Sequence, residues 1–247
     1  MDLLDIVLLV AAGIVGGACN AIAGGGTFFT FPALLAVGVP PVTANATCAI
    51  SIWPGHAASL LGYRKELRRQ AGRLTSSAPA FVLGATVGAG LLAVTGNGLF
   101  RQLIPWLLLT ATLLFAAGPR LRAWMIARRS GEVPRWAAFA CDFAVAVYGG
   151  YFGAALGILL MAVLTLVGLD DVNEANAVKN AFATIVSSLA VATFVVVGMI
   201  AWGPGAAVLA GAIAGGYLGA RLARWVSPSV LRGAVIAVGL ALTVMYL

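Results

Sequence analysis

The chain has 247 residues, of which 62% are hydrophobic and only 9% are charged, with a mean hydropathy of +1.02. Soluble globular proteins carry about 25% charged residues, so this balance excludes a soluble fold and describes one integral membrane domain. A net charge of +7 does not indicate nucleic acid, because the basic residues gather between apolar segments, at Arg64 to Arg73, Arg120 to Arg135 and Arg221 to Arg232. That is the pattern of basic cytoplasmic loops in a multi-pass protein.

The start, MDLLDIVLLV, carries acids where a secretory signal carries bases, and no cleaved signal is expected. Ten apolar segments follow, at 3–22, 27–38, 43–62, 75–95, 99–118, 137–153, 157–168, 172–197, 204–222 and 229–247. A helix needs about 20 residues to cross a bilayer, and the second and seventh segments are too short. Cys19, Cys48 and Cys141 each lie inside an apolar segment without metal-type spacing, so neither a disulfide framework nor a metal site is expected.

The two short segments hold matching positions in two halves, 1–118 and 137–247, joined by a basic cytoplasmic linker at 119–136. GVPPVTANAT (Gly38 to Thr47) matches GLDDVNEANAV (Gly168 to Val178), and GATVGAG (from Gly84) resembles GAIAGGYLGA (from Gly211). Equivalent loops carry opposite charge bias. YRKELRRQAGR in the first half is basic and its counterpart GMIAWGPG is neutral, whereas TGNG is neutral and its counterpart RLARWVSPSVLR is basic. Each half therefore crosses the membrane an odd number of times, and the halves are inverted. The expected fold is all-α and polytopic, with two inverted repeats of about five hydrophobic segments each and short or broken helices after glycine-rich turns. The basic loops lie in the cytoplasm and both termini outside.

In NAIAGGGTFFTFP (Asn20 to Pro32) the glycines Gly24, Gly25 and Gly26 release the backbone just before a new helix near Thr27. A helix start offers oriented, unpaired N–H groups to an anion. The competing reading is close helix packing around a kink. GGYFGAALG in the second half, with Gly153 and Gly157, would form a second lobe. On the eighth segment Asn176, Lys179, Asn180, Thr184 and Ser187 share one helix face, and on the third Asn45, Thr47, Ser51 and His56 are their counterparts. An ionisable group at the depth of Lys179 is a candidate functional site, against snorkelling or pairing with Asp170, Asp171 or Glu174. His56 and Asp142 are the candidates for coupling protons; a histidine bonded to a freed carbonyl and a carboxylate at the membrane rim are the alternatives. Gly84 and Gly88, and Gly211, Gly215 and Gly219, form smooth ridges for helix packing. Ser51 and His56 are five residues apart, about 140° around a helix, which is poor geometry for a hydrolase pair.

GGGTFFTFPALLAVGVPPVTANAT, SIWPGHAASLLGYRKEL, ANAVKN and GAIAGGYLGARLA, in this order across both halves, resemble the TauE/SafE family, the sulfite exporter or toluene-sulfonate uptake permease group. The resemblance implies a bacterial inner-membrane secondary carrier, not an enzyme, without cofactor, exporting sulfite or small organosulfur anions by alternating access coupled to an ion gradient. The alternatives are uptake of organic sulfonates or carboxylates and, from another class, a non-transporting scaffold or sensor. The expected partners are a small anionic substrate and the lipid bilayer, with a homodimer allowed. Substrate contacts are expected from Asn20, Gly24, Gly25, Gly26, Thr27, Asn45, Thr47, Gly153, Gly157, Asn176, Lys179 and Asn180. Family members often carry Asn-Lys after the first-half Ala-Thr, where this chain has Cys48 and Ala49. A single cationic lobe, from Lys179, is the consequence.

Overall fold

The computed structural model describes residues 1–22, 25–128, 133–222 and 228–247. Among them lie eleven α-helices: α1 (Leu3–Ile22), α2 (Thr27–Ala36), α3 (Pro41–Ser59), α4 (Arg64–Arg69), α5 (Ala71–Val94), α6 (Asn97–Arg128), α7 (Arg135–Tyr151), α8 (Leu156–Leu166), α9 (Val172–Val196), α10 (Trp202–Leu222) and α11 (Pro228–Tyr246). Each of the ten expected apolar segments is a helix. Two departures stand out. The basic loop folds into α4, whose Arg, Lys, Glu and Leu are good helix formers. The helix of segment 99–118 continues through Gly118-Pro119 into the expected linker, giving the 32 residues of α6. An interior proline is tolerated in an apolar bundle where neighbouring helices and local adjustment satisfy the freed backbone groups.

By length and composition α1, α5, α6 and α9 are able to cross a membrane. The 10 residues of α2 and 11 of α8 rise only about 15–17 Å. Both short helices end in the same way. Gly38 and Gly168 take φ of +81° and +85°. The N–H of the residue after each glycine reaches back, Val39 to Leu34 O at 3.0 Å and Leu169 to Leu164 O at 2.9 Å. This is the Schellman closure, which glycine permits at no steric penalty.

Helix α1 packs along α10, and α5 along α7; α10 also meets α3, and α5 meets α9, while α3 crosses α9 and α6 crosses α11. Within each of these two glycine seams the paired helices run parallel. A Cβ on Gly215 would meet the carbonyl of Ile14, and one on Gly88 the carbonyl of Val147. Buried aromatic rings fill the centre, with Phe31 edge-on to Phe100 and Phe152, Phe28 edge-on to Phe115, and Phe81 stacked on Phe182 at 4.0 Å. Large apolar side chains such as Val7, Val87, Leu91, Ile213 and Val244 cover the exposed outer surface, an arrangement suited to lipid contact.

One end of the bundle is tied by polar contacts. Gln70 Nε2 donates to Glu174 Oε2 at 2.6 Å, Arg69 lies 3.8 Å from the same carboxylate, and Arg73 Nη2 donates to Val167 O at 3.1 Å. At the opposite end the N–H of Val42 donates to Asn97 Oδ1 at 3.0 Å, and that of Ala201 to Thr47 Oγ1 at 3.1 Å.

Candidate functional site

The break between α7 and α8 forms locally. Phe152 and Gly153 both donate to the Tyr148 carbonyl, at 2.9 and 3.3 Å, and the Tyr148 hydroxyl donates to Ala154 O at 2.7 Å. Gly153 has φ of +75°, and Ala155, with φ of +60°, is the one non-glycine among the described residues in this region of backbone space. A left-handed alanine costs roughly 1–2 kcal/mol, so the turn is held by its surroundings. Ala155 stands 13 residues before Gly168, as Gly25, with φ of +95°, stands 13 before Gly38. By this register Gly157 corresponds to Thr27.

Helix α9 rises past the break. Asp171 caps it, accepting from the Glu174 N–H at 2.8 Å, a neutralisation of an otherwise unpaired donor. Asn176, Lys179 and Asn180 are half-buried while Ala175, Ala177, Val178 and Ala181 are buried. Lys179 Nζ donates to Asn176 Oδ1 at 3.0 Å. Its stem lies over Gly157, where an added Cβ would be 3.7 Å from Lys179 Cδ. His56, from α3, is within electrostatic range of the ammonium. Among the described residues no carboxylate forms an ion pair with Lys179, and Glu174 is taken by Arg69 and Gln70.

The first-half break is filled with protein. Gly25, Gly26 and Thr27 are buried. A Cβ on Gly26 would strike the Gly16 carbonyl and come within 3.2 Å of Asn20 Cβ, and one on Gly25 would be 3.0 Å from the Phe115 ring. Gly24 lies outside the described residues. Thr30 Oγ1 and Cys48 Sγ are 3.4 Å apart, so the position matching Lys179 carries a buried thiol on a hydroxyl.

The other expected residues are dispersed. Asn45, 3% exposed, donates from Nδ2 to Tyr151 O at 2.8 Å, and its Oδ1 has no hydrogen-bond partner among the described residues. Thr47, with 0% exposure, serves the start of α10 by accepting from the Ala201 N–H. Ser51 donates to Thr47 O at 2.9 Å and Gly205 O at 3.4 Å, so its proton is directed to backbone and not to His56. Asp142 is buried on α7, facing Ser77 and Arg73 of α5. Sequence reasoning took Arg73 only as a topology signal; its carbonyl contact across the fold has no local signature.

Short apolar helices entering from breaks, polar groups on the facing long helices and an apolar outer surface define a polytopic membrane protein of transporter type. The chain belongs to the sulfite exporter TauE/SafE family, whose family model matches residues 9–246. It is 30% identical to a Haemophilus influenzae protein named "Probable membrane transporter protein", over 98% of this chain and 94% of that one. It is also 30% identical to Escherichia coli K12 YfcA, which bears the same description, over 89% of this chain and 80% of the relative. A Sinorhizobium protein, ORF9, is 25% identical over 98% and 92%. No solved structure matches the chain.

Proposed function

We propose that the protein is a secondary carrier that exports sulfite or a small organosulfur anion across the bacterial inner membrane by alternating access of two inverted repeats. The observation that carries this reading is Lys179, an ammonium within α9 whose hydrogen-bond partner is the neutral Asn176 amide. A cation held at that depth without a carboxylate among the described residues is a functional feature and creates a place for an anion. Gly157 leaves room beside it, and the first turn of α8 adds a positive helix end. Asn180, and His56 as a proton carrier, complete the lobe. The substrate contacts assigned to Asn20, Gly25, Gly26 and Thr27 belong to the same reading, reached only when the packed first-half break opens.

The packing supports inverted repeats. Exchanging α1, α2, α3, α5 and α6 for α7 to α11 in order turns the α1 with α10 pair into α7 with α5, and α3 with α10 into α9 with α5. It likewise turns α6 with α8 into α11 with α2. Helix α7 runs parallel to α5, which starts at the basic end, and α1 runs parallel to α10, which starts at the other end. Helices α1 and α7 therefore point in opposite directions. Uptake of organic sulfonates or carboxylates is the second reading, since the same site serves either direction according to the gradients.

The test is flux into and out of proteoliposomes. Sulfite or a small sulfonate should saturate the wild type, and Lys179→Ala should reduce flux to the level of empty vesicles. Undiminished flux in that variant removes Lys179 from the mechanism.

A further inference from the structure

A cavity of about 600 Å³ opens at the basic end of the bundle, between α5, α7, α8 and α9 and apart from the Lys179 lobe. Its size is within the range of small-ligand pockets, about 300–1,000 Å³. Two guanidinium-bearing residues line it, Arg73 from α5 and Arg135 from α7, together with the hydroxyl of Ser77 and the carboxyl of Asp142. Arg73 is anchored by one bond from Nη2 to Val167 O, and a guanidinium has five N–H donors, so further donors remain for a ligand. Phe182, stacked on Phe81, lines the cavity from α9.

We propose that this cavity is a second oxyanion site, at the cytoplasmic mouth of the carrier, which takes a small sulfonate-class anion between Arg73 and Arg135 together with a proton on Asp142. The two arginines attract an oxyanion, whereas an ionised carboxyl in the same cavity repels it. Both groups are satisfied when the carboxyl takes a proton from solvent and donates its O–H to the bound anion, so that anion and proton enter together. Among the described residues the other lining elements add no competing titratable group. Helix α8 contributes apolar side chains and its last carbonyls, α9 contributes Phe182, and Glu174 is engaged by Gln70 and Arg69 away from the lining. Among the described residues the carboxyl of this site is not duplicated in the first half. Phe143 meets Gly84 as Val10 meets Gly211, so Asp142 is matched in the first half by Leu9, an apolar residue with 0% exposure.

The inference rests on the proposed transport function for its place as a mouth, but its test is binding. Methanesulfonate is titrated calorimetrically into the purified full-length Lys179→Ala protein in detergent, at about pH 5.5 and about pH 8, where the probe itself carries a constant charge. Binding should persist in this background and be about tenfold tighter at the lower pH. Adding Asp142→Asn should make it tight at both. Adding Arg135→Gln, at an exposed position, should weaken it about fivefold. An absence of binding in Lys179→Ala at either pH overturns the second site and leaves the transport reading standing. An unchanged pH dependence in the Asp142→Asn protein overturns the proton link. Binding confined to vesicles of anionic phospholipid, with none of methanesulfonate in detergent, would assign the cavity to a lipid headgroup and overturn the proposal. Flux that survives Lys179→Ala counts instead against the central site.

Discussion

Lys179 passes its stem across Gly157 on the first turn of α8, and its ammonium returns to Asn176 at 3.0 Å. Glycine at this contact keeps the space beside the amine small-walled without being required by backbone strain, because its φ lies outside the positive range.

The first expectation follows from that contact. Gly157→Ala places a Cβ at an ordinary 3.7 Å from Lys179 Cδ and should leave the protein folded and stabilised by up to about 1 kcal/mol through helix propensity. Gly157→Leu should displace the lysine and lower flux at least about tenfold while the protein still purifies as a folded species. Proteoliposome flux read beside thermal unfolding checks both halves; equal flux in the two variants would refute the role given to this contact.

The seam between α5 and α7 leaves no space for a side chain. A Cβ at Gly88 would meet the Val147 carbonyl and stand 2.9 Å from Tyr151 N, both backbone atoms that cannot rotate away. Gly88→Val should destabilise by about 1–3 kcal/mol. Gly90, two residues on, has nothing within 4 Å, and Gly90→Ala should be neutral or slightly stabilising. Thermal unfolding in detergent separates the two; equal melting points would mean the seam gives way more easily than its geometry states.

Ala155 holds φ of +60° and ψ of 12°. Glycine adopts this conformation freely, so Ala155→Gly should relieve about 1 kcal/mol and raise the melting temperature by about 2–4 °C. A lowered melting temperature would show that the packed methyl group, 6% exposed, outweighs the backbone term.

At the start of α9, Asp171→Ala removes the acceptor for the Glu174 N–H and should destabilise by about 1 kcal/mol. Glu174→Gln loses an ion pair with Arg69 at 3.8 Å whose side chains are 71% and 21% exposed. Solvent screening limits that change to roughly 0.5 kcal/mol or less. Chemical or thermal unfolding of the two variants should therefore rank the cap above the ion pair.

Much of the architecture is legible along the chain. Apolar runs bounded by glycine and proline marked ten segments that are helices in the structure, and the shortness of α2 and α8 was visible from residue counts alone. The ridges at Gly84, Gly88, Gly211, Gly215 and Gly219 were readable as packing surfaces, and each now meets backbone of a neighbouring helix. Helix α4 and the last turns of α6 were not legible, because dense charge and a Gly-Pro pair also mark loops. The polar stripe of α9 could be drawn from spacing, but spacing could not tell that Lys179 turns to Asn176 rather than to Asp170, Asp171 or Glu174. Nor could it separate Thr47, which serves the start of α10, from Asn45, which reaches the end of α7.

The sequence by itself determined a helical membrane chain with two segments too short to cross, because in hydrocarbon each segment satisfies its own backbone and only length and apolarity decide whether it spans. Only the tertiary structure decided which polar groups meet. Asn45 finds Tyr151 across 106 positions, and Thr47 finds Ala201 across 154. Such partners are chosen by how whole helices pack, and the glycine seams that set that packing carry no record of the side chains they bring together.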